Sequence, residues 1–424
     1  MSHGQEHHAK TLPADLSAPG FVSSWQRKWL VAGIVLGVIS LVFLRTDLDH
    51  FLRAYTLGFM MCFTFAIGGL ALLMVQYVSG GKWGLLLRRP LEAMTRTLPL
   101  VVVLFLPIVF GMKRLYIWAR ITDVKAALAA HLITNVQAHA IAYKRPMLNA
   151  HGFVFRAVLY FIIFGIYIWF LNKWSLQRDA DHEHNFDKWR IKFENISGFG
   201  IVVYSLVLTG ASIDWIMSMD PTWYSSVWGL VFLVAQGYAV LALSIITVVW
   251  LSKEEPMKTL LRTTEQHDLG KLTFAFVMLN IYLNFSQYLI IWSGNMPEEI
   301  NWYLDRFLGG WGLIITLDFI FHWVVPFTLL LSRDLKRNKG KLITVCAFMI
   351  FARMWDFFWL IEPNFADARR NLHWSTGLLA YLVVPAAMMS LWFAFYCYQL
   401  KARPLVVVND PHLEEILEPE HAHA

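Results

Sequence analysis

In the stretch ITLDFIFHWVVP, Asp318 and His322 stand four residues apart inside a long apolar run. On a helix that spacing puts a carboxylate and an imidazole on one face, one turn apart. Imidazole titrates near neutrality, and a desolvated carboxylate rises towards it, so the pair has the chemistry of a proton relay. Pro326 follows; it has no N–H to donate and leaves a carbonyl of the preceding turn in need of another donor. In the next apolar run, Arg353 and Asp356 are three residues apart and can pair within one helix. The stretch NIYLNFSQY places Asn280, Asn284, Gln287 and Tyr288 on a single stripe, with Thr273 extending it, and this stripe is expected at the depth of Asp318. An ionised side chain at the middle of a bilayer costs roughly 2.5–3.5 kcal/mol on insertion scales. Three readings follow: the groups form a discontinuous proton path with water, they line a quinone pocket, or they pair with one another and lock the helices.

Two further stretches repeat a pattern. DWIMSMDPTW (Asp214 to Trp223) and DFFWLIEPNF (Asp356 to Phe365) each carry an acid, an aromatic residue, a second acid six positions on, proline, a free position and another aromatic residue. Residues before proline avoid the α region, so Asp220 and Glu362 are expected where their helices stop. There they meet the negative end of the helix dipole and need a cation, a donor, a proton or water; the plainer reading is a cap at the membrane edge. Asp214 and Asp356 lie about 9 Å deeper at the α-helical rise. The recurrence suggests an internal repeat, 55–219 and 223–361, of four helices each.

The elements that must carry these residues are membrane helices. The chain has 424 residues, 57% apolar and 16% charged, with mean hydropathy +0.49, and its apolar residues fall in runs long enough to cross a bilayer. Ten helices are expected, at 28–44, 55–79, 98–118, 152–172, 197–219, 223–251, 271–294, 307–331, 341–361 and 374–399. They form a membrane domain over 28–400, between polar tails at 1–27 and 401–424 that read as solvated; a helical segment at 119–151 lies along the outer face. The net charge of +6 sits in loops and not on a nucleic-acid surface. The basic stretches RRPLEAMTR (88–96), KWRIK (188–192) and RDLKRNKGK (333–341) share one side, which places both termini in the cytoplasm. No cleavable signal is expected. Cys62, Cys346 and Cys397 read as small core residues. Only His322 lies well inside a helix, while His151 and His373 begin theirs, so no pair of axial haem ligands is expected; nor is a metal or Fe–S site.

Several passages together resemble a known family: KRPMLNAHGFVFRAVLYF (144–161), IDWIMSMDPTWYSSVWG (213–229), HDLGKLTFAFVMLNIYLNFSQYLIIWSGNMPEE (267–299) and MWDFFWLIEPNF (354–365). They are similar to the F subunit of bacterial alternative complex III, a quinol oxidoreductase. The resemblance implies an all-α integral membrane subunit related to the NrfD and polysulfide-reductase membrane anchors. Its ten helices would form two four-helix bundles (helices 2–5 and 6–9) with two flanking helices, in the bacterial cytoplasmic membrane. It implies partners: an NrfD-like sister subunit, an Fe–S protein and multihaem c-type cytochromes, which carry the haem c and Fe–S clusters. The subunit itself would hold no redox centre, would not be catalytic alone, and would provide assembly surface and a path for protons. Asp214, Asp220, Asp356 and Glu362 carry over as charged positions of the matching blocks. Two other functions compete: a subunit that binds quinone in its own right, and a secondary transporter.

Overall fold

The computed structural model describes residues 11–183, 185–372, 375–410 and 412–417. Among them there is no strand, as expected of apolar segments that must satisfy their backbone internally in lipid. The principal helices are α1 (Gly20–Thr46), α2 (Leu48–Ser79), α3 (Leu85–Thr95), α4 (Leu98–Phe110), α5 (Ala150–Asp179), α6 (Phe186–Trp215) and α7 (Trp228–Leu251). They continue with α8 (Thr263–Gly294), α9 (Pro297–Phe307), α10 (Trp311–Leu331), α11 (Lys339–Ile361) and α12 (Ala380–Lys401). Among the described residues nine helices are long and apolar enough to cross a membrane. A tenth crossing exists if Lys82–Thr95 and Leu98–Phe110, which meet at a bend of 42°, count as one. The protein is thus an all-helical, multi-pass membrane protein.

Helices α2 and α7 are buried along almost their whole length. Helix α2 packs on α3, α4, α6, α7 and α12; α7 packs on α6, α8 and α11. Helix α10 touches α8 and α11, α5 touches α4 and α6, and α1 lies on the outside against α12. Two small residues allow the central approach. A Cβ on Gly68 would stand 2.7 Å from Val240 on α7, and one on Gly69 would stand 3.1 Å from Met94 on α3.

Four expectations need correction. The third apolar run, expected at 98–118, stops at Phe110 and breaks into the short helices Met112–Leu115 and Ile117–Arg120. Lys113, Arg114 and Arg120 favour leaving the apolar layer there. The basic stretch 88–96 is no exposed loop: α3 is buried at every residue, Arg88 and Arg89 included. Nor is 401–424 a solvated tail throughout. Leu405, Val406, Val407, Leu413 and Ile416 are buried, and Leu405 donates its N–H to the carbonyl of Leu16 at 2.8 Å. Likewise the first helix begins at Gly20 and not at 28, and Leu12 and Leu16 pack against the core. The His-rich extremes HGQEHH and EHAHA, and His373, lie outside the described residues.

Gly309, just before α10, serves a turn. Its φ is +58°, and a Cβ would stand 2.5 Å from the carbonyl oxygen of Arg370. The left-handed conformation alone costs a side chain about 1–2 kcal/mol. Gly309→Ala is therefore expected to lower the thermal midpoint of the detergent-solubilised protein by several degrees; an unchanged midpoint would count against the strain.

Candidate functional site

Helices α7, α8, α9, α10 and α11 enclose a cavity of about 300 Å³. Seven of the ten sequence-nominated residues line it: Asn280, Asn284 and Gln287 from α8, Asp318 and His322 from α10, and Arg353 and Asp356 from α11. The polar stripe of α8 thus does meet Asp318. Each position follows from helical spacing on a face turned inward, and the aromatic residues Trp228, Phe232, Trp302 and Tyr303 supply the apolar wall.

Arg353 and Asp356 form an ion pair within α11. The guanidinium of Arg353 also lies 3.9 Å from the ring centroid of Phe357 and 5.3 Å from that of Phe232. His322 Nδ1 is 3.6 Å from Asp318 Oδ1, an ion-pair distance rather than a hydrogen bond. Asn284 Nδ2 donates to Asn280 Oδ1 at 2.5 Å and to its carbonyl at 3.0 Å. Gln287 accepts from Ser225 Oγ at 3.0 Å and donates to Tyr303 at 3.3 Å. Several polar atoms remain without a hydrogen-bond partner among the described residues: Asn280 Nδ2, Asp318 Oδ1, His322 Nε2, and Arg353 Nε and Nη2. Unpaired donors and acceptors at such a density are costly in a dry interior. The cavity is large enough for water, which would serve these unpaired atoms.

The backbone of α10 is irregular at the same place. Ile320–Val324 is a π-helical turn, in which Val325 N–H reaches back five residues to the carbonyl of Ile320. The carbonyl that Pro326 leaves without a donor is that of His322, and Tyr238 on α7 supplies the hydroxyl at 3.4 Å.

The other three nominated residues lie elsewhere. Asp214, fully buried, accepts from Arg156 Nε at 2.7 Å and Nη2 at 2.8 Å and from Tyr160 at 2.9 Å. Asp220 accepts from Thr222 N–H at 3.0 Å and its hydroxyl at 2.6 Å, with Arg369 at 3.5 Å. Glu362 accepts from Arg53 at 2.9 Å and from the hydroxyl of Tyr381, and His50 Nε2 stands 3.6 Å away. Both acids at helix ends therefore have the cations or donors they need. Asp220 adopts an extended backbone before its proline, as expected, after the 3₁₀ turn Met217–Met219. Glu362 does not: its φ of −63° and ψ of −41° stay helical, and it opens the 3₁₀ turn Glu362–Asn364.

Sequence reasoning missed Arg53, Arg156 and Tyr238. Arg156 lies inside the helix expected at 152–172, and its spacing of four from Tyr160 in FRAVLY already put both on one helical face. Among the described residues two groups of three bring ligand atoms within 4.8 Å of one another: Asp318, His322 and Asp356, and His50, Glu362 and Asp367. In each, an arginine already supplies the compensating positive charge, Arg353 on Asp356 and Arg53 on Glu362 and Asp367. No family model matches the chain, and no curated protein is significantly similar to it.

Proposed function

We propose that the chain is a membrane subunit of a quinol-oxidising respiratory complex of the alternative complex III kind, and that it passes protons through the cavity between α7, α8, α10 and α11. The carrying observation is the set of buried, unpartnered polar atoms on Asn280, Asp318, His322 and Arg353 around one space large enough for water. A carboxylate, an imidazole, an arginine-held carboxylate and an amide ladder in one chamber suit proton storage and transfer. In this reading the subunit has no redox centre of its own and is not catalytic alone. Its partners are a sister membrane subunit, an Fe–S protein and multihaem c-type cytochromes that hold the clusters and haem c.

In this reading α2, α4, α5 and α6 form one four-helix bundle and α7, α8, α10 and α11 the other, with α1 and α12 flanking; contacts within each set support the grouping, and α2 and α6 also pack on α7 across it. The end that carries Arg88, Lys192 and Lys336 faces the bacterial cytoplasm, and the end that carries Asp220 and Glu362 faces out.

Asp318→Asn tests the reading. The assembled complex should keep its subunits, and its rate of proton uptake should fall by about a hundredfold or more, the scale of losing one general acid–base group. Unchanged proton uptake in a fully assembled complex would remove Asp318 from any such path. A second reading is favoured by the aromatic walls: Trp228, Phe232, Trp302 and Tyr303 would flank a quinone ring, with the α8 amides at its oxygens. A photoreactive quinone that labels peptides of α7 and α8 would support it.

A further inference from the structure

Four observations meet at one residue. The π-helical turn Ile320–Val324 surrounds His322, and Pro326 removes the N–H that would close an α-turn onto the carbonyl of His322. The buried hydroxyl of Tyr238 stands 3.4 Å from that carbonyl. The Tyr238 ring also faces the imidazole itself, with centroids 4.7 Å apart and planes at 35°.

We propose that Tyr238 is the positioning residue of His322: it stands in for the donor that Pro326 withholds, and so holds the wide turn that aims the imidazole at Asp318. A regular α-helix offsets residues four apart by about 40° around its axis. A turn closed over five residues winds less per residue and brings residues 318 and 322 closer to one line. Without a donor for its freed carbonyl, the wide turn has no partner across α7, and the segment relaxes or hydrates. The imidazole then loses both its ring neighbour's anchor and its alignment with Asp318. The placement of His322 does not depend on the proton reading; only its use does.

The test measures how fast diethyl pyrocarbonate modifies His322 in the purified whole chain at fixed pH, read at that residue by peptide mass spectrometry. Tyr238→Phe keeps the ring and removes the hydroxyl. It is expected to speed modification by about fivefold or more, the scale of leaving one buried carbonyl without a donor. Pro326→Ala returns the N–H, so in that background Tyr238→Phe should change the rate by less than about twofold. Equal effects in the two backgrounds, or a Tyr238→Phe rate within about twofold of the parent protein, would overturn the proposal. If Tyr238→Phe alone fails to accumulate, adding Pro326→Ala should restore it; failure to restore overturns the proposal equally. A modification pattern that follows these expectations, alongside unchanged proton uptake in Tyr238→Phe, would uphold the positioning and dismiss the proton path.

Discussion

Arg53→Met should leave little folded protein, and whatever folds should melt far below the parent. Arg53 is buried and donates through Nη1 to Glu362 at 2.9 Å and through Nη1 and Nη2 to Asp367 at 2.9 and 2.8 Å. Its plane also stacks on Phe365, 3.9 Å from the ring centroid. One side chain on α2 thus ties down the turn that leaves α11, more than 300 positions away in sequence. Methionine keeps the length but strands Glu362, only 1% exposed, with His50 and Tyr381 as its remaining partners. Breaking one half of a buried ion pair costs about 3–5 kcal/mol, chiefly for the charge left behind. Lysine would be a poor substitute, because it lacks the planar fork that spans two carboxylates. Adding Glu362→Gln to Arg53→Met should recover much of the loss, and thermal melts in detergent would read both. A parent-like midpoint in Arg53→Met alone would refute this account of the turn.

The second large effect is expected from removing residues 403–417. Arg88 donates to Asp410 at 2.6 Å, and Arg178 lies 3.9 Å from the same carboxylate. Arg403 stands 3.5 Å from Glu92, which is itself fully buried. Asn409 donates to the carbonyls of Arg178 and Asp181 at 2.9 and 2.7 Å. Deletion also uncovers the sites of Leu405, Val407, Leu413 and Ile416, each contributing roughly 1.5–3 kcal/mol as an upper estimate. Such a chain should fail to accumulate in the membrane, which immunoblotting would detect; normal accumulation would show the segment to be dispensable. Asp410→Ala should act in the same direction but more weakly. Burial pushes the Asp410 carboxyl up, yet the charge and hydrogen bond of Arg88 outweigh it and hold the carboxyl below the ordinary aspartate value of 3.8. A depressed carboxylate contributes its stability above the unfolded value and loses it as pH falls through the folded one. The clasp should therefore hold at neutral pH and loosen only in strong acid, below about pH 4.

Much of this architecture is legible in the residues because lipid imposes a simple demand. Runs of about twenty apolar residues announce helices, and all nine candidate spans fall on expected runs. The run at 98–118 was read too long, since the helix ends at Phe110 and Lys113 and Arg114 follow. Within the cavity, spacing carried the argument: Asp318 with His322, Arg353 with Asp356 and the α8 amides are intrahelical patterns, and each survives in three dimensions. Long-range partners were invisible. Arg53 with Glu362, Arg156 with Asp214 and Arg88 with Asp410 join residues far apart in sequence, and no local periodicity encodes such a pairing. Tyr238 was hidden for the same reason, although the orphaned carbonyl it serves was foreseeable from Pro326.

The C-terminal clasp also sets an order of events during synthesis. Arg88 leaves the ribosome some 300 residues before its partner Asp410 does. During that interval its guanidinium has Gln76 and needs other company besides, such as lipid phosphates or water. The clasp can therefore close only after every membrane helix from α1 to α12 has been made.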